Sequence, residues 1–91
     1  MLFSMIGRDA SDGQEKRLLY RDGHLTRLEK LETSGRLLLA GPFEDKSGSL
    51  IVFEADSLEA AKDFAKNDPY VIKGIFSSYE VKPFKKVFPR S

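Results

Sequence analysis

Ninety-one residues, 41% hydrophobic and 32% charged with a formal net charge of +1, describe one small soluble domain spanning 1–91, whose own core is marginal and gains from a partner subunit. The near-zero net charge gives no general attraction for nucleic acid or acidic membranes, and the absence of cysteine with a single histidine excludes disulfides, thiol catalysis and a multi-histidine metal site within one chain. No apolar run approaches the roughly 18 residues of a membrane span, and MLFSMIGRD lacks the basic and long apolar regions of a signal peptide, so a cytoplasmic location is expected.

In chain order, Leu2 to Ile6 reads as a buried strand closed by Gly7 and the polar loop RDASDG. Asp12 and Glu15 have capping-box spacing, which predicts a helix over 13–34. Gly23 costs about 1 kcal/mol against Ala inside a helix, so the helix can come in two pieces, restarting with Asp22 as N-cap. Gly35 is its natural stop. Arg36 to Ala40 is the next strand, closed by Gly41-Pro42, and residues 43–49 form a hairpin-length loop. Leu50 to Ala55 is a third strand rich in β-branched and aromatic residues. Asp56 and Ser57 carry an N-cap signal, and Leu58, Ala61, Phe64 and Ala65 form the stripe of a helix over 57–67. Pro69 disfavours helical geometry at Asp68 and ends it. Ile75 to Phe84 alternates as a final strand, and the tail KKVFPRS reads as an extension toward another subunit.

The order β-α-β-β-α-β predicts an α+β, ferredoxin-like fold: a four-stranded antiparallel sheet with both helices on one face. The strands LLLA and LIVF are apolar at consecutive positions, so the helix-free face needs cover. A second copy of the sheet is the economical answer, giving a homodimer.

His24 falls among leucines. At about 100° per residue Leu31, His24, Leu28 and Leu25 share one helical face with Arg21, while Arg27 and Lys30 point away. An imidazole on such a stripe needs a partner, either a backbone carbonyl or a carboxylate. Asp68, at the end of the second helix, is the candidate carboxylate. On its own the NDPY run also reads as an Asx-Pro turn. Tyr70 supplies an amphipathic ring beside it.

The chain resembles the YciI-like (YCII-related) family over nearly its whole length. The motifs are RDGHL at 21–25, GRLLLAGP at 35–42, DSLEAA at 56–61, DPY at 68–70 and VKPFKKV at 81–87. The resemblance implies a ferredoxin-like fold pairing into a dimeric α/β barrel. It also implies that His24 and Asp68 match the family's candidate catalytic pair and that Arg21 matches the arginine three residues before the histidine. Asp22-Gly23 replaces the Pro-Ala common in the family, and the 43–49 loop is short.

Three functions follow. The first is a small cofactor-free enzyme using the His24–Asp68 pair for acid-base chemistry, an isomerisation or a dehydrochlorinase-like elimination, on a small cyclic or aromatic substrate. The second is a binding or regulatory module holding a small anionic metabolite. The third is an accessory subunit valued for its dimer surface. In either of the first two, Arg21, Gly41, Pro42 and Tyr70 are the expected ligand-contacting residues, with no metal. Ser4, Ser77 and Ser78 are further candidates for lining the pocket from the strands.

Overall fold

Residues 1–90 are described by a computed structural model. The strands β1 (Leu2–Asp9), β2 (Leu37–Pro42), β3 (Gly48–Glu54) and β4 (Phe76–Phe84) form one antiparallel sheet in the order β2-β3-β1-β4. Helices α1 (Gly13–Thr33) and α2 (Leu58–Lys66) supply the two crossovers, and a single turn, α3 (Pro69–Ile72), follows α2. This is the ferredoxin-like α+β arrangement expected from the element order.

The pleat explains the core. Phe3 and Met5 alternate with Leu2, Ser4 and Ile6 along β1, and only the first pair is buried. Their cross-strand partners Phe53 and Ile51 lie on the same face, and with Ile75, Phe76 and Tyr70 they form the packed centre. Ala61 and Ala65, both fully buried, are the small residues that let α2 approach this layer. Ser57 caps α2, its hydroxyl accepting the Ala60 N–H at 3.1 Å.

The register places Leu39, Leu50, Val52 and Ile6 on the opposite, helix-free face, with Glu80 and Lys82 beside them on β4. That face is thus apolar at its centre and charged along one flank, more divided than the consecutive apolar residues of the strands suggest.

Three local expectations need correction. The helix α1 does not break at Gly23; Pro69 packs over that position, its Cγ at ordinary contact distance, 3.4 Å, from where a Cβ would lie. The capping box does not form either: Asp12 makes no cap bond and pairs with Lys16 at 3.3 Å. Finally, α1 is a roof more than a core helix. His24 and Gly13 are its only buried residues among those described, Leu25 is 38% exposed and Leu18 79%, because the helix stands off the β2 side of the sheet.

One glycine is required by close approach. A Cβ at Gly48 would collide with the carbonyl oxygen of Gly7 on the adjacent strand, a backbone atom that cannot swing aside. Gly48→Ala is therefore expected to destabilise the chain by at least about 1–3 kcal/mol, the usual range for overpacking. Denaturant titration checks this; a midpoint equal to the parent's would contradict it.

Candidate active site

Asp68 is the residue on which the site is built. It does not end α2, as the sequence suggested, but begins α3. Its backbone is extended (φ −67°, ψ 132°), its carboxylate accepts the Tyr70 N–H at 2.8 Å, and Pro69 occupies the first helical position. Proline forces the residue before it out of the helical region while fitting the first turn itself, so Asn67-Asp68 becomes a junction between two helices. The carboxylate then sits at a helix start, where partial positive charge favours it.

The same carboxylate, with no exposed surface, meets the imidazole of His24 from α1. Nδ1 of His24 lies 2.9 Å from both Oδ1 and Oδ2. A carboxylate at that position fixes the tautomer carrying hydrogen on Nδ1 and leaves a lone pair on Nε2. Nε2 makes no protein hydrogen bond, and among the described residues the only sealed, unpartnered side-chain nitrogen or oxygen is Nη1 of Arg27. Nε2 is therefore open to the cavity that His24 lines.

Two further groups hold this pair. The Tyr70 ring stacks on the imidazole with centroids 3.9 Å apart and planes within 6°, which restrains rotation of the histidine. Arg27 donates to the Phe64 carbonyl at 2.9 Å and covers the Phe64 ring at 4.2 Å, placing Nη1 3.8 Å from Oδ2 of Asp68. That distance is too long for a hydrogen bond but within the range of an ion pair. The wheel pointed Arg27 away from His24; the length of the side chain and the buried acid beneath it explain why it turns inward.

A second ion pair stands beside Tyr70. Arg17 of α1 donates to both carboxylate oxygens of Asp9, at 2.9 and 2.7 Å, and to Oγ of Ser49 at 3.0 Å. Its guanidinium carbon is 5.0 Å from the Tyr70 ring centroid. The hydrogen bond to Asp9 outweighs burial and holds the Arg17 pKa above its ordinary value. Burial pushes the Tyr70 phenol above its ordinary value, with the charges of Arg17 and Arg21 working against it.

That shift has a measurable sign. Because the folded phenol titrates above its unfolded value of about 10, its contribution to stability is complete below pH ~10 and is lost as pH rises through the folded value. Tyr70→Phe is expected to remove part of the alkaline fall in stability. Unfolding curves of parent and variant that keep a constant separation between pH 8 and 11 would contradict this.

The cavity encloses about 510 Å³ between α1 and the β2–β3 end of the sheet, within the range of small-molecule sites. His24 and Tyr70 form its floor, Leu18, Leu25 and Leu28 one wall, and the Gly41-Pro42-Phe43 run another, with Arg17, Arg21 and Lys46 as its cations. Thus His24, Arg21, Gly41, Pro42 and Tyr70 line one cavity, and Asp68 lies beneath it. Ser4, Ser77 and Ser78 do not line it; the serine on its wall is Ser49. Arg17, Gln14 and Ser49 were missed by the sequence reading, although Arg17 stands one helical turn before Arg21 and the i, i+4 spacing could have found it.

A small α+β protein whose helical layer suspends a carboxylate-bound imidazole over an open cavity is the class that these features define. The chain belongs to the YCII-related family, whose domain model matches residues 1–85. It is 44% identical over 98 aligned residues to the YciI protein of Escherichia coli O6:H1, covering 97% of this chain and 100% of the relative. A protein of Haemophilus influenzae is 41% identical with the same coverage. Among solved structures it is similar to the 5-chloro-2-hydroxyhydroquinone dehydrochlorinase TftG of Burkholderia phenoliruptrix in complex with 2,5-dihydroxybenzoquinone. There the TM-score is 0.83 at 28% identity, covering 93% of this chain and 94% of that one. A NIPSNAP family protein of Agrobacterium tumefaciens, at TM-score 0.55 and 14% identity over 96% of this chain and 93% of its own, shares the fold alone. No helix among the described residues is long and apolar enough to cross a membrane.

Proposed function

We propose that the chain is an acid-base enzyme working without a cofactor on a small, planar, hydroxylated ring, with His24 and Asp68 as its catalytic pair. The carrying observation is the 2.9 Å contact of His24 Nδ1 with the buried Asp68, which leaves Nε2 facing the cavity. In this reading Nε2 takes a proton from the substrate, and Asp68 stabilises the imidazolium that results. The electron pair left behind either expels a leaving group, as in an elimination, or is reprotonated at another atom, as in an isomerisation. Arg21, with Arg17 behind it, offsets the negative charge that develops on a ring oxygen. Tyr70 and the Gly41-Pro42 wall hold the ring flat. The similarity to a dehydrochlorinase crystallised with a dihydroxybenzoquinone supports a ring of this kind, while fold likeness by itself does not carry substrate over. A screen of chlorinated and hydroxylated hydroquinones, followed by a pH–rate profile on any hit, tests the reading. A rate limb that disappears when His24 is replaced supports it; saturable binding with no turnover supports instead the module that holds a small anion.

The active form in this proposal is a homodimer packed through the helix-free sheet face, the pairing of a dimeric α/β barrel. The apolar centre at Ile6, Leu39, Leu50 and Val52 supports it. At roughly 25 cal/mol per Å², a standard interface of about 1,600 Å² leaves a favourable surplus after association costs. Ile6→Lys is the discriminating variant. Its cross-strand neighbour is Glu80, so the ammonium is satisfied in one chain and buried unfavourably in a pair. Sedimentation should show a dimer for the parent and a monomer of 10.3 kDa for the variant; a monomeric parent at micromolar concentration would end this reading.

A further inference from the structure

Two exposed surfaces of this chain match each other. The first is a groove of about 300 Å³ between the second half of α1 and the edge strand β2, lined by Leu25, Leu28, Leu37 and Leu38 with Glu29 and Glu32 at its rim. Leu38 and Leu39 are 45% and 49% exposed. The groove is continuous with the cavity, since Leu25, Leu28 and Ala40 line both. The second is the segment following β4, Lys85-Lys86-Val87-Phe88-Pro89-Arg90. It leaves the sheet with Val87 61% and Phe88 66% exposed. One surface is apolar and acidic, the other apolar and basic.

We propose that residues 85–90 of one protomer lie in the α1–β2 groove of its partner, with Val87 and Phe88 against the leucines and Lys85 and Lys86 against Glu29 and Glu32. This rests on the dimer reading above. The segment's own groove is a poor destination. The strands β2 and β4 are opposite edges of the sheet, three inter-strand spacings or about 14 Å apart, so at roughly 3.3 Å per extended residue the crossing uses about four residues, Lys85 to Phe88, and leaves Val87 and Phe88 short of the leucines. To reach it, the segment must turn back across the end of the sheet over Leu2 and Glu54, the neighbours of Phe84 and Leu2 in the ladder. A two-fold axis running along the strands between two facing sheets instead sets β4 of one protomer beside β2 of the other, which makes the path short. The segment then covers the open flank of the cavity, and the site in each protomer is completed by the other.

The chain contains no cysteine, so cross-linking is clean. The full chain carrying Phe88→Cys and Leu38→Cys is oxidised, separated without reductant and peptide-mapped, and the same protein is sedimented under reducing conditions. The expected result is a disulfide between positions 88 and 38 of different chains in most of the protein. Yield should fall several-fold with Glu29→Lys and Glu32→Lys, and recover when Lys85→Glu and Lys86→Glu are added. A disulfide within one chain, a link between two copies of position 88, or no link in a protein that sediments as a dimer would overturn the proposal and leave the dimer standing. A reduced protein that sediments as a monomer would overturn the dimer reading, and the proposal with it.

Discussion

Turnover of a productive substrate is expected to fall by about 10²–10⁴ when His24 is replaced by alanine, the usual contribution of a positioned general base. The loss should appear mainly in kcat, because Arg21, Tyr70 and the Gly41-Pro42 wall proposed to hold the ring are kept. The variant should also lose the acidic limb of the rate profile, since no other imidazole is available in a chain with one histidine. His24→Gln is the more searching comparison. It keeps a polar group within reach of Asp68 and restores packing under Tyr70, yet cannot cycle a proton near neutrality. If either variant retains parental turnover and the parental pH profile, the acid-base role of His24 is wrong whatever the 2.9 Å contact suggests.

The second large effect concerns Asp68 and separates stability from chemistry. Asp68→Ala leaves the His24 Nδ1–H and the Tyr70 N–H without their common acceptor, and the Arg27 guanidinium without its nearby counter-charge, in a fully buried place. Breaking such an arrangement from one side costs about 3–5 kcal/mol, at roughly 4–8 °C of thermal midpoint per kcal/mol for a domain of this size. Asp68→Asn keeps the helix cap, since asparagine caps as well as aspartate, and should fold with a smaller loss. Its amide can present N–H to the imidazole and so select the tautomer with hydrogen on Nε2, removing the base. A folded Asp68→Asn protein with activity lowered by about 10³–10⁴ is the expected outcome, as for the misoriented histidine of a triad. Equal activity in a folded Asp68→Asn would mean that the carboxylate serves the fold alone.

The fold was readable because its signals are local. The apolar run of β1, the alternation in β4, the Ser57 cap and the Leu58-Ala61-Phe64-Ala65 stripe of α2 each specify an element without knowledge of the rest. The pairing of His24 with Asp68 came partly from the leucine face and partly from family motifs, since residues 44 apart in sequence leave no periodic trace of contact. Two things escaped. Asp68 looked like the end of one helix, because a one-turn helix after a proline is too short to show periodicity. The inward turn of Arg27 and the Asp9–Arg17–Ser49 cluster also escaped, since a long cationic side chain can leave its nominal face and follow a buried carboxylate. Helical wheels locate Cβ atoms, and the guanidinium lies several bonds beyond.

The double use of Asp68, as cap of α3 and as acceptor for His24, makes the Tyr70 peptide N–H a reporter of catalytic readiness. Any excursion that frees α3 exposes that amide to exchange with solvent and releases the imidazole in the same event. Deuterium uptake at this one amide should therefore track the fraction of molecules with a misaligned base. Mild heating or low denaturant should abolish the proposed activity in step with that uptake while the β1–β3 ladder is still protected, so that the site would come apart before the fold does.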